Sequence, residues 1–130
     1  MKEQKHKPTA AELEILQIIW QNGPSTVKNI NDLLNVKKEV GYTTTLKIMQ
    51  IMAEKGLLSR EKDGRSHIYN TVSKENETQS LLLEKMLATA FSGSASKLVM
   101  QAIGRNKTSK KEIEEIKDFI EKLERENNGS

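Results

Sequence analysis

The side chains whose types and spacing suggest chemistry lie between residues 43 and 50, in the segment TTTLKIMQ. At the angular spacing of a helix, Thr43, Lys47 and Gln50 share one face, and Thr45 and Met49 fall on the apolar side. Hydroxyl, ammonium and amide groups on one helical face suit hydrogen bonding to phosphates and base edges in a DNA groove. We expect the threonine hydroxyls at the helix start to cap its amides. An ordinary solvated helix shows similar residues, so the flanking segments must decide.

Composition excludes several kinds of chemistry. The chain has 130 residues and no cysteine, which removes disulfides, thiolate metal sites and thiol nucleophiles. Neither His6 nor His67 has a second ligand at metal-binding spacing, and no catalytic or nucleotide-binding motif occurs. These observations predict a protein that is not an enzyme and binds no metal or cofactor. Its apolar runs are shorter than a membrane span, and it begins without a signal peptide, which predicts no membrane insertion and a cytoplasmic location.

The excess positive charge lies in the first half of the chain. Residues 1–72 carry 11 Lys and Arg against 8 Asp and Glu, whereas residues 73–130 carry 10 against 10. A basic first half followed by a neutral second half is typical of a nucleic-acid-binding domain joined to an assembly domain.

Three short helices are predicted in the first 57 residues. Thr9 and Glu12 form a capping box that begins the first helix, which Asn22-Gly23-Pro24 ends. Ser25 or Thr26 caps a second helix, which ends near residue 35. The second helix is expected to bury its apolar residues, which are Val27, Ile30, Leu33 and Leu34. The third helix lies within the stretch 40–57, after the break at Gly41, and is capped by Gly56, which completes a helix-turn-helix arrangement.

A β-hairpin is predicted directly after these helices. Asp63-Gly64 separates two strand-like runs, residues 58–62 and 67–72, and Asp-Gly favours a tight hairpin turn. A hairpin in this position is a wing, whose tip presents Arg65 and Ser66 to phosphates or a minor groove. An ordinary solvated turn is the alternative interpretation.

The second half of the chain predicts three more helices, over residues 73–91, 95–103 and 109 onward, with a polar hinge at 104–108. Ser109 and Glu112 form a second capping box. Helices this short cannot bury their apolar stripes alone, so we expect a second copy of the chain to cover them, the alternative being that they fold back on the first domain. The predicted dimer contacts are Leu87, Phe91, Leu98, Val99, Ile103, Ile113, Ile116, Phe119, Ile120 and Leu123.

These elements predict a mainly α fold with a small β wing, organised as a winged helix-turn-helix N-terminal domain and a helical C-terminal dimerisation domain. The expected boundaries are a flexible arm at 1–8, the DNA-binding domain at 9–72, the dimerisation domain at 73–126 and a tail at 127–130.

Several segments in this order resemble the penicillinase-repressor (BlaI/MecI) family of bacterial transcription factors. They are TAAELEILQIIWQNGPSTVKNI, GYTTTLKIMQIMAEKGLLSRE, GRSHIY, FSGSASKLVMQAI and SKKEIEEIKDFIEKL. The resemblance implies a dimer that binds inverted-repeat operators. It also implies repression of β-lactamase or related antibiotic-resistance genes until the signal of a membrane sensor protease leads to cleavage of the repressor.

Carried over residue by residue, the resemblance implies recognition-helix contacts at Thr43, Thr44, Leu46 and Lys47, and wing contacts at Arg65 and Ser66. Leu46 stands where some relatives place a cation and is able to touch a thymine methyl group. Gln50, Thr26 and Lys28 complete the candidate DNA contacts. The bond aligned with the Asn-Phe cleavage site of the resistance repressors is Gln101-Ala102. Relatives that sense copper use C-terminal cysteines, which this chain lacks.

The sequence therefore predicts a homodimeric repressor of a palindromic operator. A winged-helix protein–protein adaptor without DNA binding is the alternative, and it predicts no salt-dependent DNA affinity. A third hypothesis is a regulator with a small-molecule site among the C-terminal helices, which predicts thermal stabilisation by a metabolite.

Overall fold

The computed structural model describes residues 7–105 and 107–128, which form six helices and two strands. The bounds are α1 Ala10–Asn22, α2 Val27–Leu34, α3 Tyr42–Lys55, β1 Leu58–Asp63, β2 Ser66–Thr71, α4 Glu75–Thr89, α5 Ala95–Arg105 and α6 Lys110–Asn128. The predicted mainly α fold with a small β wing is confirmed. Most of the arm predicted at 1–8 and the end of the tail predicted at 127–130 lie outside the described residues.

The caps of α1 follow directly from its sequence. The backbone N–H of Glu12 donates to the Thr9 hydroxyl at 3.2 Å, and the Glu12 carboxylate accepts from the Thr9 backbone N–H at 2.9 Å. Both bonds of the predicted capping box are therefore present. Gly23 ends the helix at a φ of 88°, a value that a residue with a side chain rarely adopts.

One hydrophobic core joins the first three helices to the wing. Its buried members are Ile15, Leu16, Ile19, Val27, Ile30, Met49, Met52, Leu58 and Tyr69. Leu33, predicted to be buried, is instead 41% exposed. It projects away from the direction shared by Val27 and Ile30 on the short helix α2, so it reaches the edge of the core and not its interior.

The wing is an antiparallel hairpin, as predicted, with Asp63 paired to Ser66 across the turn. Gly64 has a φ of 66°, which the tight turn requires. A second link ties the wing to the turn between α1 and α2, because Ser25 and Tyr69 exchange two backbone hydrogen bonds of 3.0 and 2.8 Å. Residue Ser25 therefore pairs with β2 as a short third strand would.

The chain divides into two compact units, with the boundary between Leu83 and Glu84. In the second unit, Ser92 and Gly93 adopt positive φ values and separate α4 from α5, at the predicted break. The Ser94 and Ser109 hydroxyls accept from the N–H groups of Lys97 and Glu112, capping α5 and α6. The hinge predicted at 104–108 is too long, since α5 continues to Arg105.

An ion pair within the first unit joins the start of α1 to the end of α3. The Lys55 ammonium donates to the Glu12 carboxylate at 2.7 Å, and Glu12 is buried. Burial alone raises the pKa of Glu12, but the hydrogen bonds from Lys55 and Thr9 and the charge of Lys55 outweigh it. The pKa of this carboxyl therefore lies below its ordinary value of 4.5.

We expect Lys55→Met to lower the free energy of unfolding at pH 7 by about 1–3 kcal/mol, because it leaves a buried carboxylate without its charged donor. Urea denaturation followed by the fluorescence of Trp20, the one tryptophan, measures the change. Lys117→Met is the matched control, since Lys117 pairs with Glu114 at 3.9 Å on an exposed surface. Its effect should stay within about 0.5 kcal/mol.

The same pair sets the sign of the pH dependence. A carboxyl whose pKa is lowered by folding contributes stability that is present above its ordinary value and is lost as pH falls through the folded pKa. The difference between the wild type and Lys55→Met should therefore narrow below pH 4.5. A difference that stayed constant at acidic pH would assign the effect to packing of the lysine stem.

Candidate DNA interface

The outward face of α3 carries a set of polar side chains in the spacing that the sequence predicted. Thr43, Thr44, Lys47 and Gln50 are all exposed. Tyr42, at the first position of the helix, is 51% exposed and adds a phenol that sequence reasoning did not select. These groups include hydroxyls, an amide and an ammonium, which together can donate to phosphates and pair with base edges.

Thr45 and Met49 are buried on the inward face of α3, as predicted, but the predicted caps of this helix are wrong. The three threonine hydroxyls were expected to cap the helix, but its N-cap is Gly41, which has no side chain. The hydroxyl of the fully buried Thr45 does not cap the helix but accepts a hydrogen bond of 2.8 Å from the Asn31 side chain. Thr45 lies on the core side because it is one turn before Met49 and two before Met52.

Leu46 occupies a different environment from the other candidate contacts of α3. It is half-buried and packs against the hydrophobic core. Only the outer part of this side chain is available to a partner such as a thymine methyl group.

The wing carries more cations than the sequence analysis selected. Arg65 and Ser66 are exposed at the turn, as expected for its tip. Arg60 pairs across the strands with Tyr69, and Lys62 with His67, so both cations project from the same face of the hairpin. His67 meets the ring of Tyr69 edge-on, with ring centroids 6.4 Å apart. The Asp-Gly turn fixes which residues pair across the two strands, so the sequence alone could have placed Arg60 and Lys62 on one face of the hairpin.

The candidate contacts on α2 have partners within the helix. The Thr26 hydroxyl caps α2 by accepting from the N–H of Asn29 at 3.1 Å, which settles the choice between Ser25 and Thr26 as the cap. Lys28 forms an exposed ion pair of 3.2 Å with Asp32, one turn later. An exposed pair of this kind is weak, so the Lys28 ammonium can exchange its carboxylate for a phosphate.

Four cations of the first unit are exposed on α3 and the wing, namely Arg60, Lys62, Arg65 and Lys47. None of them takes part in an ion pair among residues 7–105 and 107–128. Glu61 and Asp63 lie on the same hairpin, so the wing is only modestly positive. The cations that remain unpaired are the groups that release counterions when a protein binds DNA.

The residues predicted for dimerisation lie on helices that bury little. Within the described part of α5 and α6, no side chain is buried. Half-buried members are Leu87, Phe91, Leu98, Ile103, Ile113 and Ile116, and exposed members are Val99, Phe119, Ile120 and Leu123. Phe119 is 58% exposed. Gln101 and Ala102, the predicted cleavage position, are exposed within α5.

No group of three or more His, Asp or Glu side chains among the described residues is arranged to hold a metal ion. No described helix combines the length and the apolar character that crossing a membrane requires.

Comparison with known sequences places these features among transcriptional regulators. The family described as Penicillinase repressor matches residues 8–122. The methicillin resistance regulatory protein MecI of Staphylococcus aureus (strain N315) is 22% identical over 122 residues, which cover 94% of this chain and 99% of that protein. The transcriptional regulator BlaI of Mycobacterium tuberculosis (strain H37Rv) is 29% identical over 80 residues, which cover 61% of this chain and 58% of that protein.

Solved structures show the same fold. A MarR family protein from Bacillus stearothermophilus superposes with a TM-score of 0.55 at 18% identity, over 95% of this chain and 77% of that one. The transcriptional regulator Tm0710 from Thermotoga maritima gives a TM-score of 0.53 at 20% identity, over 94% and 80%. At these identities the likeness concerns the fold alone.

Proposed function

Because the chain belongs to the penicillinase repressor family, a family of transcriptional regulators, we propose that it represses transcription as a homodimer on an inverted-repeat operator. Membership in this family makes the chain a DNA-binding regulator of the winged-helix class and not an enzyme. The operator, the dimer and the release of repression are the parts that we propose. The exposed polar face of α3 is the observation that carries the proposal.

The proposed reading helix is α3, lying in the major groove. Thr43, Thr44 and Lys47 occupy its first two turns, the part of a recognition helix that reaches base edges in helix-turn-helix proteins. Gln50 lies one turn further along the same face and can pair with adenine. Tyr42 precedes them and can donate its phenolic hydroxyl to a phosphate.

The wing supplies the sequence-independent part of the proposed contact. Arg65 and Ser66 at the tip, with Lys62 behind them, offer donors to phosphates on either side of a minor groove. Thr26 and Lys28 at the start of α2 are proposed as further phosphate contacts, because a helix N-terminus favours an anion.

The C-terminal helices support dimerisation through a second copy of the chain. Val99, Phe119, Ile120 and Leu123 are exposed on apolar stripes of α5 and α6, where water contact is unfavourable. Membership in a family of repressors favours a second copy over an unrelated protein, because two identical subunits present two reading helices. Twofold symmetry then requires a near-palindromic operator with half-sites about 10 base pairs, or a small multiple, apart.

Release of repression is proposed to follow cleavage at Gln101-Ala102, downstream of a membrane sensor protease. The bond lies within α5, where Gln101 and Ala102 are both exposed, so local unwinding would present it to a protease. Control of antibiotic-resistance genes is proposed from the names of the relatives. Mass spectrometry of the protein from cells treated with a β-lactam tests this step, and an intact chain in fully derepressed cells would contradict it.

The proposal as a whole is tested by titrating the protein onto a duplex that contains the promoter region upstream of its own gene, and onto a scrambled duplex of equal length. Titrations across a salt series should give saturation at two subunits per site and a preference of roughly 4–10 kcal/mol over the scrambled duplex. Equally weak binding to both duplexes, without salt dependence, would favour the adaptor hypothesis.

Two substitutions should distinguish base recognition from phosphate contact in that assay. Lys47→Ala is expected to weaken operator binding by about 1–3 kcal/mol more than binding to the scrambled duplex, because a base contact is lost. Arg65→Ala should weaken both equally and reduce the salt slope by about one, because a phosphate contact is lost. Lys117→Ala on α6 removes the same charge outside the interface and should change neither. Equal losses for Lys47→Ala would make Lys47 a phosphate contact.

Replacing Phe119 and Leu123 together by alanine should raise the dissociation constant of the dimer at least about tenfold, because their apolar area is no longer buried between copies. Sedimentation equilibrium measures the constant. The matched control replaces Glu121 and Arg125, on the opposite face of α6, and should leave it unchanged. A monomeric wild-type protein at micromolar concentration would contradict dimerisation through these helices.

A further inference from the structure

The start of α3 is held by side chains from α2 and not by a cap of its own. Its N-cap is Gly41, which offers no side-chain oxygen. Two asparagines, Asn31 in α2 and Asn35 at its C-cap, hold the preceding residue, Val40, by hydrogen bonds to its backbone N–H and carbonyl. These two side chains and the Val40 peptide groups are called the asparagine clamp below.

Asn35 pairs with Val40 in two directions. Its side-chain carbonyl accepts from the Val40 N–H at 3.0 Å, and its amide nitrogen donates to the Val40 carbonyl at 2.9 Å. The same nitrogen donates to the Asn31 carbonyl at 2.7 Å. Only an amide of this length offers a donor and an acceptor side by side, so an aspartate or a serine could not replace it.

Asn31 extends the clamp into the core. Its side-chain nitrogen donates to the Val40 carbonyl at 3.0 Å and to the Thr45 hydroxyl at 2.8 Å. The Val40 carbonyl thus accepts two bonds, one for each of its lone pairs. Thr45 is fully buried, so its hydroxyl would lack a hydrogen-bond donor without Asn31. The bond between these two side chains therefore fixes the rotation of α3 about its axis relative to α2.

We propose that Asn31 and Asn35 are positioning residues that set the orientation of α3, and thereby the discrimination between the operator and other DNA. The inference rests on the proposed function. Thr43 and Thr44 lie three and four residues after Val40, in the first turn of α3, and Lys47 follows one turn later, so a rotation or shift at Val40 moves all three. Base readout requires hydrogen bonds of narrow geometry, whereas phosphate contacts tolerate displacement.

The test uses the promoter and scrambled duplexes with two variants, Asn35→Ala and Thr45→Val. Asn35 is exposed, so its substitution leaves the core intact, and valine preserves the volume of Thr45 while removing the hydroxyl that Asn31 needs. Operator affinity should fall at least about tenfold in each variant, while affinity for scrambled DNA should stay within about threefold. The salt slope on the operator should not change, because the phosphate contacts remain.

Asn76→Ala on α4 is the control, since it removes an exposed asparagine outside the clamp and should preserve the operator preference. If the variants lose stability in urea but keep the wild-type ratio of operator to scrambled affinity, the asparagines are merely structural and the inference is wrong. If the wild type itself shows no preference, the proposed function fails as well, so the two failures are distinguishable.

Discussion

The ion pair between Glu12 and Lys55 fixes the end of α3 against α1 in the N-terminal unit. Glu12 is buried, and a buried carboxylate is tolerated only when donors replace its lost hydration. Thr9 supplies one donor from the cap of α1, and Lys55 supplies the other from the last turn of α3. Because Gly56 ends α3 immediately after Lys55, the pair also fixes the point at which the chain enters the wing.

The two ends of α3 are therefore held by polar contacts and its middle by the core. Asn31 and Asn35 hold the start of the helix, Glu12 holds its end, and Met49 and Met52 are fully buried between them. Methionines alone would allow the helix to rotate or slide, since flexible side chains adapt to several packings. Directional hydrogen bonds at both ends restrict that freedom, so Thr43, Lys47 and Gln50 on the outer face are not needed to hold the helix in place.

Local chemistry made much of this fold predictable from the sequence. Capping boxes, the Asp-Gly turn and Gly56 each act within a few residues, so the elements and their order follow from the sequence. Contacts between elements are different. Asn31 is 14 residues from Thr45, and its role depends on how α2 crosses α3, which no local pattern encodes. Leu33 was misjudged for the same reason, since periodicity gives a direction but not the edge of the core. The outward face of α3 was predictable because an amphipathic helix needs only its own spacing.

The two units differ in how completely they bury their own apolar side chains, and this difference bears on the proposed regulation. The N-terminal unit encloses a core, whereas α5 and α6 bury no described side chain. In the proposed homodimer, association would complete the burial of the C-terminal helices, so their stability would rise with protein concentration by mass action. Binding of the second half-site by such a dimer is intramolecular, and the affinity gained in this way is lost when the two copies separate. Under the proposed dimerisation, disruption of α5 would release the operator without altering any residue of α3 or the wing.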